Sequence, residues 1–204
     1  MNNCMERTRH TLVLSCSPRK NGNSNEAARL IGEELTAQRP NVPFVVSSLS
    51  DFIIRPCIAC DLCASHPGTC SMEGQDEVNL LLSALCSPNP GLPVNVIVSP
   101  IHFYHLPARL KALLDRSQYS WHLPPQEKPG RDAKLAVVLL AARRQGARLF
   151  EGALLTLRYV AAALGLTLLD PLTLYGLDAP NALSGDAEAR TRVRNYARSL
   201  INLS

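Results

Sequence analysis

The sequence predicts an α/β protein with a doubly wound, five-stranded parallel sheet and helices on both faces. Short apolar runs alternate with helical patterns along the chain, which is the order expected of parallel strands joined by crossover helices. The run from Lys134 to Ala141 is apolar after its first residue, as expected of a strand covered on both faces. No repeat or change of composition divides the 204 residues, so we expect one domain over 1–204.

The elements follow one another at regular intervals. The first strand runs from Thr11 to Cys16, because its apolar run breaks at Ser17-Pro18, and apolar residues at helical spacing begin near Glu26. The further strands are Phe44 to Leu49, Val94 to Ser99, Lys134 to Ala141 and Leu166 to Leu174. The further helices are near Asp76 to Leu85, Pro107 to Ser117, Leu149 to Leu164 and Ala187 to Leu200.

Charge and composition argue against several classes of partner. The net charge is only +4, from 21 Lys and Arg against 17 Asp and Glu, and the basic residues are scattered, so we expect no nucleic-acid partner. The arginines between Arg190 and Arg198 are interpreted as a solvated helix face. No apolar stretch has the roughly 18 residues of a membrane span, and the polar start Met1 to His10 lacks the apolar centre of a signal peptide. We therefore expect a cytoplasmic protein without membrane contact.

The loop after the first strand has the properties of a phosphate site. It leads directly into a helix, so backbone amides and the helix dipole converge on an anion there. Ser17 and Ser24 supply hydroxyls, Arg19 supplies a fork of charged donors, and Gly22 allows the backbone to turn closely around the ligand. The alternative is a polar surface loop with an ordinary helix cap.

Three segments resemble one known family. They are Ser17-Pro18-Arg19-Lys20-Asn21-Gly22-Asn23-Ser24, the segment Ser99 to His105 with the LKxxxDR pattern of Leu110 to Arg116, and Leu149 to Tyr159. Together they resemble the NADPH-dependent FMN reductase and iron-sulfur flavoprotein group of the flavodoxin-like superfamily, from Thr11 to about Tyr175. Cys16 stands where that family usually has glycine, which alters the turn but leaves the phosphate-binding part intact.

The resemblance implies an FMN site at the carboxyl ends of the strands. The cofactor-binding residues that it implies are Ser17, Arg19, Asn23, Ser24 and Asn25 for the phosphate, and Pro100, Ile101, His102 and Phe103 for the ring. In a third loop this chain departs from the Gly-rich or Ser-rich turn of the family, and we expect Ala142 and Arg143 there to lie near the flavin, with positive charge that raises its potential. The alternatives are that the aromatic residues belong to the core, and that Arg143 and Arg144 point to solvent rather than toward the flavin.

The most specific motif is Cys57-x2-Cys60-x2-Cys63-x6-Cys70, in a loop insert over 57–70. Cytosolic cysteines are rarely paired as disulfides, so such a cluster indicates metal binding or redox chemistry. Four thiolates at this spacing can hold a 4Fe-4S cluster, as in the iron-sulfur flavoproteins that the chain resembles. A structural zinc ion and metal-free thiols remain as alternatives. Cys4, Cys16 and Cys86 are expected to be terminal or buried apolar residues.

These features predict an FMN-dependent oxidoreductase in which the flavin carries the chemistry and no side-chain acid or base is needed. Its donor would be NAD(P)H or a ferredoxin-like protein. The alternatives are a non-enzymatic flavin electron carrier, a redox- or metal-sensing module, and a zinc-stabilised domain that has lost flavin binding. The resemblance also implies a homodimer or a dimer of dimers, with Trp121 either reaching toward the neighbouring subunit or buried in its own.

Overall fold

The structure is a computed structural model that describes residues 10–202. The strands are β1 Thr11–Ser15, β2 Phe44–Ser48, β3 Val94–Pro100, β4 Lys134–Leu140, β5 Thr167–Leu168 and β6 Leu172–Leu174. The helices are α1 Asn23–Gln38, α2 Leu62–Ser65, α3 Val78–Cys86, α4 Ala108–Asp115, α5 Glu151–Leu164, α6 Ala182–Gly185 and α7 Ala187–Ile201. Short 3-10 helices cover Leu49–Asp51, Arg116–Ser120 and Pro125–Glu127. Within this described part, no helix is both long and apolar enough to cross a bilayer.

The strands form one parallel sheet in the order β2-β1-β3-β4-β5, with β6 also paired to β4. β5 and β6 are two halves of one edge strand, because Thr167 pairs with Lys134 and Leu172 pairs with Val138. Between them lies Pro171, which has no N–H to donate to a ladder. The prediction of a doubly wound, five-stranded sheet is confirmed, with its fifth strand interrupted.

Helices cover both faces of the sheet. Leu12 and Leu14 of β1 belong to the core beneath α3, α4 and α5, whereas Val13 belongs to the core beneath α1 and α7. This alternation is the two-residue period of a strand, and it explains why the central strands are largely apolar on both faces, with Asn95 and Ser99 as buried polar exceptions in β3. Because all strands are parallel, their carboxyl ends and the loops that follow them meet at one edge. We call this edge the rim.

One polar side chain is built into the core where β1 and β3 begin. Asn95 is fully buried, and its Oδ1 accepts a hydrogen bond from the backbone N–H of Leu12 at 2.6 Å. Its Nδ2 donates to the carbonyl oxygens of Ala84 and Leu85, each at 2.9 Å, and so satisfies two end groups of α3. Asn95 thereby ties helix α3 to the central strand.

Two arginines on the solvated face of α7 also pair with a neighbouring helix. Arg198 Nε lies 2.7 Å from Glu34 Oε1 and Arg194 Nη1 lies 3.4 Å from Glu34 Oε2, joining α7 to α1. The side chain of Glu34 is only 6% exposed, and the hydrogen bond from Arg198 lowers its pKa below the ordinary range. The side chains of both arginines stay partly exposed to solvent, Arg198 at 55% and Arg194 at 33%, so the face is solvated as interpreted, but two of its arginines also pair with a buried carboxylate on the neighbouring helix.

We expect Asn95→Leu to lower the free energy of unfolding by about 3 kcal/mol, because one N–H and two carbonyls lose their buried partner. Urea unfolding measures the change as a lower midpoint at an unchanged slope. Asn41→Leu, at an exposed position of the turn between α1 and β2, is the matched control and should change stability by less than about 0.5 kcal/mol. Equal losses in the two variants would contradict the role of Asn95.

Candidate functional site

Loops from three strands and the segment after β6 enclose a cavity of about 300 Å³ at the rim. This volume lies at the lower end of the range of small-molecule sites. The predicted cofactor-binding residues that line the cavity are Ser17, Arg19, Asn23, Ser24, Pro100, Ile101, His102 and Ala142. The remaining three, Asn25, Phe103 and Arg143, stand beside it and are described below. Most of the predicted residues therefore lie together at the carboxyl ends of the strands, and their contact with a cofactor stays a prediction.

The start of α1 faces this cavity without a side-chain cap. The residue before the helix is Gly22, which has no side chain to accept from the first N–H groups of the helix. The hydroxyls of Ser17 and Ser24 are buried beside it, and the backbone N–H of Arg19 donates to Ser17 Oγ at 3.1 Å. Amides at a helix start carry partial positive charge, so this end of the cavity suits a phosphate.

Gly22 is needed because of a close approach rather than an unusual backbone angle. A Cβ atom at this position would lie 2.5 Å from Ser17 Oγ and 3.4 Å from the carbonyl oxygen of Arg19. Any larger residue would displace the serine that lines the cavity. The glycine therefore keeps the loop closed tightly around the start of α1.

Two asparagine side chains shape the loop. Asn25 Nδ2 donates to the carbonyl oxygens of Lys20 at 2.6 Å and Arg19 at 2.8 Å, and its Oδ1 accepts from the Ser15 hydroxyl. Asn23 Nδ2 donates to the carbonyl oxygens of Leu177 and Ala179, both at 3.1 Å, and its Oδ1 accepts from the N–H of Leu183 at 3.0 Å. Both amide groups are thus already bonded within the protein, and direct contact of these side chains with a cofactor stays a prediction.

The second rim loop contains a tight turn with two aromatic residues. His102 and His105 exchange two backbone hydrogen bonds of 2.9 Å, and the residues between them, Phe103 and Tyr104, have φ of 48° and 63°. Both positions of such a turn usually hold Gly, Asn or Asp, because bulky side chains are strained at positive φ. The side chain of Phe103 is fully exposed, so the alternative that it belongs to the core is wrong.

Arg143 bonds to this turn. Its Nη1 donates to the Tyr104 hydroxyl at 2.7 Å, and its guanidinium carbon lies 5.6 Å from the centre of the Tyr104 ring. The contact combines a hydrogen bond with a cation–π interaction. It stabilises the strained turn, and a direct effect of Arg143 on a flavin stays a prediction.

The sequence reasoning missed the segment that closes the cavity from the other side. Leu177 and Asp178 line it, held there by the side chain of Asn23. They follow the end of β6 at Leu174, so the rule used for the other strands would have found them. Because the edge strand is short and interrupted, the segment that follows it was not recognised as part of the rim.

The four motif cysteines surround a second cavity of about 80 Å³, whose wall also includes Arg116 and Tyr119. All four thiols are free. The backbone N–H of Ala59 donates to Cys57 Sγ at 3.5 Å, and Cys60 Sγ lies 2.9 Å from the Ser71 hydroxyl, which lowers the pKa of the Cys60 thiol. Burial raises the pKa of Cys63, and repulsion from the other three thiols raises it further. Within residues 10–202, no three His, Cys, Asp or Glu side chains converge closely enough to hold a single metal ion.

The other described cysteines are buried, as predicted. Burial raises the pKa of Cys86 to about 12 and raises that of Cys16 as well, so both thiols stay protonated. Cys4 lies outside the described residues. The alternative of a buried Trp121 is wrong, because 49% of this residue is exposed. It lines a shallow groove together with Leu155 and Tyr159, which are also exposed.

Comparison with known proteins gives a consistent result. The family model described as NADPH-dependent FMN reductase matches residues 10–169. An iron-sulfur flavoprotein of Methanocaldococcus jannaschii is 30% identical over 105 residues, which are 52% of this chain and 50% of that protein, so the match spans about half the length of this relative.

Two solved structures share the fold. An NAD(P)H:quinone oxidoreductase from Methanothermobacter marburgensis has a TM-score of 0.67 at 17% identity, covering 97% of this chain and 100% of the other. An FMN-dependent NADH-azoreductase from Bacillus anthracis, solved in complex with FMN, has a TM-score of 0.63 at 16% identity, covering 95% of this chain and 100% of the other. At this identity the likeness establishes the flavodoxin-like fold alone.

We expect Gly22→Ala to weaken FMN binding at least tenfold, or about 1.4 kcal/mol, because the added methyl group displaces Ser17. Quenching of flavin fluorescence measures the affinity. Gly185→Ala is the matched control, since a Cβ there meets nothing within 4 Å. The same affinity in both variants would show that the loop does not hold the ligand.

Proposed function

Since the chain belongs to the NADPH-dependent FMN reductase family, we propose that it is an oxidoreductase that binds FMN at the rim and transfers electrons from NAD(P)H to an acceptor. The observation that carries this proposal is the uncapped start of α1 facing the rim cavity, with Gly22 packed against Ser17. These residues fit a phosphate, and Pro100, Ile101 and His102 line the same cavity, where the rest of FMN would lie.

The protein's own contribution is binding and orientation. Ser17, Ser24 and the first amides of α1 would hold the phosphate, and Arg19 lies beside them as a further donor. When bound, FMN supplies the chemistry by accepting a hydride or single electrons and passing them on. No acid or base from a side chain is required, and the Rossmann glycine pattern is unnecessary if the nicotinamide docks against the flavin.

The test is steady-state oxidation of NADPH and NADH by FMN-loaded protein, with a quinone or an azo dye as acceptor. We expect turnover well above that of free FMN. Ser24→Asp should lose bound flavin and at least nine-tenths of the activity, because its carboxylate occupies the anion site at the start of α1. Ser184→Asp, on the exposed surface of α6, is the matched control. Bound flavin without turnover would contradict the enzyme and favour the electron carrier.

The proposal extends to a 4Fe-4S cluster at Cys57, Cys60, Cys63 and Cys70. The support is that four free thiols line one cavity, that an amide and a hydroxyl already bond to two of the sulfurs, and that the M. jannaschii relative is an iron-sulfur flavoprotein. The compact spacing of the four cysteines favours a polynuclear group over a zinc ion, whose ligands usually come as two CxxC pairs separated by a longer stretch. A cluster would also admit a ferredoxin-like donor of single electrons.

Metal and sulfide analysis of protein purified without oxygen tests the cluster. We expect about four irons and four sulfides per chain in the wild type. Cys63→Ser should lose most of both, whereas Cys86→Ala, which lies outside the cavity, should retain them. One zinc per chain, or no metal at all, would contradict the cluster and leave the FMN proposal intact.

A homodimer is also part of the proposal. Trp121, Leu155 and Tyr159 expose apolar surface in one groove, which is the kind of patch that a subunit interface covers. A monomer in sedimentation equilibrium would contradict it.

A further inference from the structure

A buried arginine with unused hydrogen-bond donors forms part of the wall of the cysteine cavity. Arg116 directly follows α4 and is 2% exposed. Its Nη1 donates to Asp76 Oδ2 at 3.0 Å and to the carbonyl oxygen of Arg55 at 3.4 Å. The pair between Arg116 and Asp76 is almost completely shielded from solvent, with side-chain exposures of 1% and 0%.

Asp76 has little further capacity to accept. Its two oxygens already accept from the backbone N–H groups of Arg55 at 2.9 Å and Val78 at 3.2 Å, in addition to Arg116. The carboxylate therefore fixes the orientation of the guanidinium and anchors the chain just before the cysteine loop. Asp76 does not accept from the other two nitrogens of the guanidinium, Nε and Nη2.

Nε and Nη2 of Arg116 have no acceptor among the described residues, although both atoms are buried. A guanidinium has five N–H donors, and leaving buried charged donors unpaired is costly. Four cysteines share the cavity wall with this group, and thiolate ligands are anionic. The wall of the cavity thus combines an arginine that has unpaired buried donors with four cysteine side chains.

We propose that Arg116 is a positioning residue for the occupant of the cysteine cavity, donating from Nε and Nη2 to sulfur atoms of the occupant. This inference rests on the cluster proposed above. Hydrogen bonds to the sulfurs and a nearby positive charge stabilise the more negative, reduced state of an iron-sulfur cluster. Arg116 therefore raises the reduction potential of the cluster, and Asp76 holds it in place for this purpose.

The test is a potentiometric titration of the cluster in the intact protein, followed by its visible and EPR spectra. At a fixed ambient potential, Arg116→Gln should raise the ratio of oxidised to reduced cluster at least tenfold. For a one-electron couple, this corresponds to lowering the reduction potential of the cluster by about 59 mV. Arg109→Gln, at an exposed position of α4, the helix that Arg116 follows, should leave the potential unchanged.

Removal of Arg116 alone leaves the buried Asp76 carboxylate unpaired, which destabilises the fold. A second variant therefore separates the proposed role from a loss of folding. Asp76→Asn combined with Arg116→Gln removes both charges together, and circular dichroism verifies the fold. A folded double variant with the wild-type potential would overturn the proposal. Wild-type protein without iron would instead overturn the cluster itself.

A measurement on the wild type needs no variant. Pulsed EPR of the reduced cluster in protein labelled with guanidino-15N arginine should detect a coupling to arginine nitrogen. A cluster that contains its full iron but has no such coupling would overturn the proposal.

Discussion

At the start of α1 the carbonyl oxygen of Gly22 accepts from the N–H groups of Asn25 and Glu26, but Gly22 adds no side chain to accept from the N–H groups before them. β1 is buried along its whole length, so the helix start lies beside the carboxyl end of a rigid central strand. The loops of β3 and β4 end at the same edge because the sheet is parallel, and Asn23 brings the segment after β6 to it. The rim cavity and its preference for an anion follow from this arrangement.

The same principle applies at the second cavity. There the unused donors belong to the guanidinium of Arg116, and again the described protein provides no acceptor for them. The rim loop that follows β3 leads into α4, and the last residue of that helix, Asp115, lines the cysteine cavity together with Arg116. In both places, the hydrogen-bond donors that the protein offers indicate what the ligand must supply.

Much of this organisation could be predicted from the sequence. Apolar runs identified every strand, because strands covered on both faces, such as β3 and β4, consist mostly of apolar residues. The loop from Ser17 to Ser24 was recognisable because its anion-binding groups are contiguous in the chain. The cysteine motif was recognisable for the same reason.

Features that depend on tertiary contacts could not be predicted. Arg116 and Asp76 are 40 residues apart, and no local pattern marks them as a pair. The left-handed backbone at Phe103 and Tyr104 contradicts the turn preference of both residues, and a contact from Arg143 supports it. The scaffolding role of Asn23 depends on a segment more than 150 residues later.

The most direct test of the account is a comparison of FMN with riboflavin, which has the same ring but no phosphate, by fluorescence titration of the flavin-free protein. If the start of α1 holds the phosphate, FMN should bind at least a hundredfold more tightly, or about 2.7 kcal/mol, and added inorganic phosphate should weaken its binding. Equal affinities for the two flavins would contradict the assignment of the rim cavity as an FMN site anchored at α1.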